Sequence, residues 1–424
     1  MRICVYEDGY VSGLEPLTLT RPAADLICGL DTLVQKQTRY FAAGSVGHLC
    51  RAAMAELIQA RDPLCPVNDM TWLGGAPTVL VNARWVPPPR PAFGAPNPFA
   101  EGPHIGTVNG EIAYVVLEHP QLQNVVLARL ERHLDQWAQE LPTRPVNGSL
   151  VRRPWELVDL NPTEIANDFE ARTGTSARGY QQARISLVGP PDRLLIDHTA
   201  RIDPMVVADT TNGPVVIGPG AVVQAFTRLE GPCGVGTGAM ILGAKIRAGT
   251  TVGPHCRVGG EVECSILLGY SNKYHEGFLG HSYVGEWVNL AAGTHTSDLR
   301  CDYRPITVPV DGREVATGRT KVGSVIADHV RTGLGVLLDC GTMIGPFAQV
   351  LPCGGLAPRA IPGYHRCSGG LLKELTDIDR LLATADVVMR RRGQQLTANL
   401  EAVYRAVAPQ PAEDSSIFSL RRTA

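Results

Sequence analysis

Aliphatic residues recur at every sixth position through much of the second half of this chain of 424 residues. A six-residue step with one inward aliphatic side chain and a turn residue is typical of a hexapeptide repeat, in which three steps form one coil of a triangular parallel β-helix. Each aliphatic side chain then packs on its equivalent one coil away, so the core grows coil by coil. The repeat positions are Ile196, Ile202, Ile217, Val223, Leu229, Val235, Ile241, Ile246, Val252, Val258, Val284, Leu290, Leu338, Ile344 and Val350.

The first half of the chain has a different pattern. Short apolar runs at residues 3–6, 79–81 and 112–117 predict strands, and the stretches 22–37, 122–141 and 161–169 predict helices. This alternation indicates an α/β domain over residues 1–169 and a linker over residues 170–190. The β-helix is predicted over residues 191–360, and a C-terminal cap and tail over 361–424 contain a helix at about residues 371–391.

Composition excludes several classes of function. Lys and Arg number 39 against 41 Asp and Glu, so nothing in the charge predicts binding to nucleic acid or to an anionic membrane. A small molecule is the expected partner. Acidic residues occur near the start of the chain, before any apolar run long enough for a signal peptide, and no later apolar run is long enough to span a membrane. We therefore expect a soluble, cytoplasmic protein. The eleven cysteines form no CxxC pair, which favours reduced thiols over disulfides or zinc.

The stretch 273–298 is the most polar part of the repeat and contains three histidines with Lys273 and Asp298. Such groups on a glycine-rich backbone could perform proton transfer. For His275 and His295 a structural role is favoured, and the spacing of the three histidines matches no known metal motif. Residues 300–321 cannot fit a hexapeptide step and predict a loop beside this stretch, where functional residues tend to lie.

Several motifs resemble one family of nucleotide-sugar enzymes. In that GlmU-like family, a sugar-phosphate nucleotidyltransferase domain precedes a left-handed parallel β-helix with acyltransferase activity, as in the bifunctional enzyme that makes UDP-N-acetylglucosamine. More closely, the chain resembles a branch of sugar nucleotidyltransferases that shares motifs along nearly its whole length. These motifs lie at residues 17–26, 81–84, 109–113, 153–157, 259–262, 269–280 and 287–290.

The resemblance implies roles for residues of the β-helix. His281 falls at the position of the family's catalytic histidine, which would take a proton from an amine or hydroxyl that attacks an acyl-CoA such as acetyl-CoA. Tyr283 and Asn289 would orient a sugar phosphate. Sites in this family lie between subunits, so the resemblance also implies a homotrimer.

The sequence departs from the family in both halves. The glycine-rich nucleotide loop GxGTRM is reduced to Thr20 and Arg21, with Lys36 as a candidate for the lysine that follows it. The basic residue that should bind the acceptor phosphate one coil before His281 is missing. Lys273, Arg319 and Lys321 are candidates to replace it, and Asp298 completes the substrate-binding set.

For the first domain the resemblance implies transfer of a nucleotide to a sugar 1-phosphate, with Mg²⁺ held by Asp8 or Asp25. Arg21 precedes Pro22, which could open a phosphate-binding helix, although a capped helix with a surface arginine is the favoured interpretation of that segment. Two alternatives remain open. In the first, the chain is a non-catalytic trimeric scaffold that binds a nucleotide sugar through a degenerate first domain. In the second, its β-helix acts on an acceptor other than glucosamine phosphate.

Overall fold

The computed structural model describes residues 1–89, 97–173 and 185–409. Most of the predicted linker, residues 174–184, and the end of the predicted tail, residues 410–424, lie outside this range. The division into domains at the predicted boundaries stays a prediction. None of the helices in the described residues combines the length and hydropathy that a membrane crossing needs.

The first part of the chain folds around a mixed six-stranded sheet. Its strand at Arg2–Tyr6 is parallel to both neighbours, and its side chains from Ile3 to Tyr6 are buried. Across the sheet the order is Ser45–Leu49, Arg2–Tyr6, Thr78–Asn82, Glu111–Leu117, His104–Val108 and Thr143–Pro145. Two short pairs join Ile27–Cys28 to Asp31–Thr32 and Trp85–Val86 to Ser149–Leu150.

Six helices accompany this sheet, and two more follow the β-helix. They are α1 Leu33–Phe41, α2 Ala52–Arg61, α3 Met70–Gly74, α4 His119–Leu122, α5 Leu130–Glu140, α6 Pro154–Thr173, α7 Ile378–Arg390 and α8 Ala398–Val407. Short 3₁₀ turns occupy Gly9–Leu14, Leu17–Leu19, Ala23–Asp25, Pro98–Glu101, Leu127–Arg129 and Pro191–Arg193.

The second part is a parallel β-helix, as the six-residue period predicts. One face is a sheet of nine parallel strands, which we call the first face. Its strands are Leu194–Ile196, Val215–Ile217, Cys233–Val235, Thr250–Val252, Ile266–Gly269, Tyr283–Glu286, Val325–Ile326, Met343–Ile344 and Ala360–Ile361.

The chain leaves each of these strands for the second face and then the third. The second face contains Arg201–Ile202, Val222–Val223, Asn272–Lys273, Arg331–Thr332, Gln349–Val350 and His365–Ser368. The third contains Ile185–Val188, Val206–Asp209, Arg228–Glu230, Phe278–Gly280, His295–Thr296 and Leu337–Leu338. Two longer strands, Met240–Ile246 and Arg257–Glu263, run from the second face to the third.

Aromatic rings line the corner between the first and second faces. Each residue in this corner ladder has a positive φ, a left-handed conformation that costs a residue with a Cβ about 1–2 kcal/mol. Successive rings stack with centroids 4.3 to 6.3 Å apart, which offsets part of that cost. The corner ladder consists of His255, Tyr270, Trp287, His329, Phe347 and Tyr364.

Other parts of the same chain cover two of the three faces. The N-terminal part packs on the first face, where Ile266, Leu268, Tyr283 and Val325 share one apolar cluster with its residues. Helix α7 lies over part of the second face, and α8 packs both on the corner ladder and on α2. Among the described residues, no helix packs against the strands of the third face.

The limits of all four predicted helices differ from those in the structure. Residues 22–37 do not form one helix, because Gly29 turns the chain at φ +81 and α1 begins only after the Thr32 cap. The 122–141 helix is broken where Val126 is extended, so that α5 starts at Leu130.

The helix predicted to begin at Asn161 is part of the longer helix α6, which continues through Pro162. The side chain of Asn161 bonds across the domain boundary instead of capping a helix. The predicted helix at 371–391 begins late as well. Gly369 and Gly370 form a tight turn that pairs Leu371–Glu374 with the strand His365–Ser368, and α7 begins at Ile378.

Candidate active site

His281 lies at the corner between the third and first faces of the β-helix. Its φ is +44, and Cys264 occupies the same corner one coil earlier with φ +43. The backbone N–H of His281 donates to Glu263 O at 3.0 Å, and its carbonyl accepts from Gly323 N at 2.9 Å. Both neighbouring coils therefore fix the position of this side chain.

Asp298 orients the imidazole of His281. The His281 Nδ1 lies 2.7 Å from Asp298 Oδ2, and both side chains are largely buried, at 16% and 10% exposure. Burial acts to lower the pKa of His281, but the hydrogen bond to Asp298 and the contact with Cys264 raise it to about 9. The pair holds Nδ1, which leaves Nε2 as the nitrogen for proton transfer.

One predicted cation, Lys321, lies beside this pair, and a second, Arg319, precedes it by two residues in the chain. Lys321 Nζ contacts Glu263 Oε1 at 3.0 Å and is partly exposed, and the neighbouring carboxylates Glu263 and Asp298 raise its pKa against the opposing effect of burial. Arg319 forms an ion pair with Asp159 of α6. The structure therefore brings together three predicted residues at one corner, His281, Asp298 and Lys321, whereas the side chain of Arg319 is directed to α6.

Tyr283 does not lie in this group, and its implied role in orienting a sugar phosphate is not supported by its position. Its hydroxyl accepts from Ile27 N at 2.9 Å and donates to Ile27 O at 3.1 Å, inside the contact with the N-terminal part. The side chain is wholly buried. Tyr283 thus joins the first face to the N-terminal part.

Asn289 and Lys273 also lie apart from His281. Asn289 bridges Asn272 and Arg331 on the second face. The buried Lys273 ammonium donates to Gly259 O at 2.8 Å and to His275 O at 3.3 Å, and burial lowers its pKa to about 8 despite nearby carboxylates. Neither side chain can bind a phosphate held at His281 in this arrangement.

The two cations predicted to bind phosphate in the first domain are in internal ion pairs. Arg21 donates to Asp328 Oδ2 and lies 3.5 Å from Glu286, both residues of the β-helix. Lys36 Nζ contacts Glu164 and Asp168 of α6 at 2.7 Å each. Both side chains are buried, and Pro22 precedes only a 3₁₀ turn at Ala23–Asp25, so Arg21 is not the surface arginine of a capped helix that the sequence favoured.

The predicted Mg²⁺ ligands do not form a metal site. Asp8 accepts from Arg84 and Asn82, whereas Asp25 pairs with Arg61. Within the described residues no group of three His, Cys, Asp or Glu side chains is placed to hold a metal ion. The side chains of the described residues therefore do not fit a Mg²⁺ site.

Sequence reasoning named Asp8 but missed the polar group around it, which lies at the carboxyl ends of two parallel strands. Asp8 follows the strand Arg2–Tyr6, and Arg84 follows its neighbour Thr78–Asn82, so the two meet at one sheet edge. Parallel sheets commonly bind ligands at such an edge. Glu111 and Arg152 pair 2.8 Å apart beside them, and Arg152 lies over the exposed Tyr10 ring. The motif at 81–84 was the available signal.

Comparison with known proteins agrees with this architecture. Residues 3–176 match the family described as sugar nucleotidyl transferase. The chain is 34% identical over 205 residues to a bifunctional sugar-1-phosphate nucleotidylyltransferase/acetyltransferase of Sulfurisphaera tokodaii, covering 48% of this chain and 44% of that protein. It is 35% identical over 104 residues to the bifunctional protein GlmU of Methanococcus vannielii, covering 24% and 25%. The chain thus matches less than half the length of these relatives.

Solved structures give weaker likenesses. The polysialic acid O-acetyltransferase OatWY is 14% identical with a TM-score of 0.26, covering 45% of this chain and 89% of that one. The N-acyltransferase AntD from Bacillus cereus, solved with dTDP and 3-hydroxybutyryl-CoA, is 12% identical with a TM-score of 0.21, covering 49% and 91%. These scores are low, so the architecture rests on the strand pairing of the chain itself.

The fold and the matches define a class of protein in which a sugar nucleotidyl transferase domain is joined to a hexapeptide-repeat β-helix. Within that class the chain is similar to the bifunctional sugar-1-phosphate nucleotidylyltransferase/acetyltransferase and GlmU proteins named above, over less than half of their length.

Proposed function

We propose that this protein is an acyltransferase of nucleotide-sugar metabolism in which His281 is the general base. The observation that supports this role is the 2.7 Å contact between His281 Nδ1 and Asp298, at a corner flanked by the partly exposed Lys321. A histidine oriented by a carboxylate is a common arrangement for proton transfer. The named activities of the bifunctional relatives support the same class of reaction.

In the proposed reaction an amine or hydroxyl of a phosphate-bearing sugar attacks the carbonyl carbon of an acyl-CoA thioester. His281 Nε2 takes the proton of the attacking group as the new bond to carbon forms. The carbon–sulfur bond then breaks, and the same proton passes to the departing thiolate, which leaves as free CoA. Lys321 is the cation of this corner that would attract the acceptor phosphate, and Arg319, two residues earlier in the chain, is the second candidate.

The assay that tests this proposal measures thiol release from acetyl-CoA with a panel of amino-sugar phosphates and nucleotide-linked amino sugars. We expect His281→Gln to lower the rate at least about 100-fold, the usual contribution of a general base. The matched control is His275→Gln, which removes an exposed histidine of the same stretch and should leave the rate unchanged. An unchanged rate in His281→Gln would exclude His281 as the base.

We further propose that the protein assembles as a homotrimer in the cytoplasm, with the third face of the β-helix at the subunit contact. Two faces are covered by the same chain, while the third carries the exposed Leu337 and Leu356. Light scattering should give three times the mass of the chain. A monomer would contradict this part of the proposal.

For the N-terminal part, the alternative of a degenerate domain that binds but does not transfer a nucleotide is supported by one observation. Arg21 and Lys36 are both held in buried ion pairs and cannot reach a triphosphate. We therefore expect no pyrophosphate release from nucleoside triphosphates and sugar 1-phosphates in the presence of Mg²⁺. Release at a rate comparable to acyl transfer would restore this domain as a nucleotidyltransferase.

A further inference from the structure

A cavity of about 270 Å³ lies between the second face of the β-helix and helix α7. This volume is slightly below the range of about 300–1,000 Å³ that is usual for small-molecule sites. Its position on the second face is opposite the corner that carries His281, so it is a separate site on the same coils. Its polar lining consists of Arg257, Asn272, Asn289 and Arg331 of the β-helix and of Arg391 and Arg392, which follow α7.

The charge of this cavity is not balanced. Among the described residues, none of its four arginines has a carboxylate within ion-pair distance, although most arginines elsewhere in the chain do. Arg257 Nε is buried and has no hydrogen-bond partner in the described part of the chain. Arg257, Arg331 and Arg392 are partly buried, so the lack of an anionic partner carries a desolvation cost that an anion bound here would reduce.

The electrostatic environment of the arginines agrees with their unpaired state. Burial lowers the pKa of Arg331, with no carboxylate acting in the opposite direction. The pKa of Arg392 is lowered by burial and by the neighbouring Arg257 and Arg391. Like charges are therefore held close together around one space.

Neighbouring groups fix Arg392 and add further donors. Arg392 donates to His255 O at 3.0 Å and to Asn272 Oδ1 at 2.6 Å, which orients its guanidinium across the cavity. Asn272 and Asn289 contact each other at 3.3 Å between Nδ2 and Oδ1. The wall formed by Tyr270 and Trp287 is rigid because their rings stack with centroids 4.3 Å apart. The donors are thus positioned before any ligand arrives.

We propose that this cavity binds a phosphate-bearing small molecule, either a sugar phosphate or the diphosphate of a nucleotide, through Arg257, Arg331 and Arg392. Planar guanidinium groups bind phosphate oxygens with two parallel hydrogen bonds, which a cluster of arginines provides from several directions. The amides of Asn272 and Asn289 are placed to contact hydroxyl or phosphate oxygens of the same molecule. This site does not depend on the role proposed for His281.

The proposal is tested by isothermal titration calorimetry of the full chain with pyrophosphate, glucose 1-phosphate and UMP. We expect saturable binding of one molecule per chain. Each of Arg257→Gln and Arg331→Gln should weaken binding about tenfold, since a charge-assisted hydrogen bond contributes roughly that factor. Stronger binding of glucose 1-phosphate than of pyrophosphate assigns the cavity to sugar phosphates, and the reverse order assigns it to diphosphates.

Two controls distinguish binding in this cavity from binding elsewhere on the surface and from a loss of folding. Arg366→Gln removes an exposed arginine of the second face that contacts Gln349 outside the cavity, and it should bind as the wild type does. Without ligand, Arg331→Gln should melt at the same temperature as the wild type or higher, because a partly buried cation without an anionic partner is removed. Wild-type affinity in both cavity variants, or no saturable binding of any of the three probes, would overturn the proposal, whereas loss of acyl transfer in His281→Gln would leave it standing.

Discussion

His281 obtains its basicity from a residue one coil away in the chain. The spacing between His281 and Asp298 is 17 residues, close to the length of one coil, so the repeat itself places the carboxylate against the imidazole. Because its pKa is raised to about 9, His281 is mostly protonated at neutral pH. A base of this kind gains activity as the pH rises, which makes pH the natural variable for testing its role.

Tyr283 is the residue for which family resemblance and structure disagree most. Its hydroxyl satisfies both backbone groups of Ile27 inside a buried contact. We expect Tyr283→Phe to lower the free energy of unfolding by about 1–3 kcal/mol, since Ile27 N–H and C=O lose their partner. Acyl transfer by the folded protein should be unchanged. Urea unfolding and the thiol-release assay measure the two effects, and a lost rate with unchanged stability would instead support the catalytic role.

At the scale of elements, the corner ladder shows how the repeat closes its corners without glycine. Six aromatic or histidine residues occupy left-handed positions that glycine would adopt more easily, and their stacking compensates for the strain. Tyr404 of α8 contacts the ladder edge-on at His329 and Phe347. The ladder is thus both the edge of the β-helix and the support on which the C-terminal helices pack.

Replacing a ring inside this ladder should be costly. Trp287 is 5% exposed and stacks on Tyr270, so Trp287→Ala is expected to lower the free energy of unfolding by about 3–5 kcal/mol. Phe226 is a matched control, because it also has a positive φ but is 75% exposed. Phe226→Ala should change stability by less than about 0.5 kcal/mol. Equal effects of the two changes in urea unfolding would show that stacking is not the source of stability.

The sequence predicted the β-helix well because the information in it is local. Each coil packs on the next, so a period of six residues is visible without any distant contact. Helix limits were predicted poorly where a distant contact decided them. Asn161 and Pro162 favour a helix boundary, yet α6 continues because the Asn161 side chain bonds Gly29 and Gly249. Two other helix limits are set by the local backbone. Val126 is extended, and Gly369 and Gly370 form a turn between two paired strands, and hydrophobic spacing reveals neither feature.

At the scale of the whole molecule, the motif at residues 17–26 joins the two parts of the chain. Thr20 and Arg21 both bond Asp328, more than 300 residues away, and the backbone at Ile27 and Gly29 bonds Tyr283 and Thr251. Periodicity and spacing cannot reveal a contact of such sequence separation. For this reason the sequence suggested a phosphate site at Arg21, while the structure uses the same arginine to hold the N-terminal part on the first face.

Breaking this contact should destabilise the molecule. Asp328→Asn leaves the buried Arg21 without a full counter-charge, and we expect the free energy of unfolding to fall by about 3–5 kcal/mol. The surface pair between Arg390 and Asp386 gives the control, since Arg390→Gln should cost less than about 1 kcal/mol. If urea unfolding gave the same small change for both variants, the contact would not be what holds the two parts together.

The central claim, that His281 and Asp298 form the base of an acyltransferase, is tested most directly by the rate of acyl transfer between about pH 6 and 10 in the wild type and in Asp298→Asn. The rate of the wild type should rise with a midpoint near the raised His281 pKa of about 9. Without the carboxylate the midpoint should fall toward the ordinary histidine value of about 6.5, while titration of the acceptor affects both proteins equally. The same midpoint in both proteins would contradict the claim.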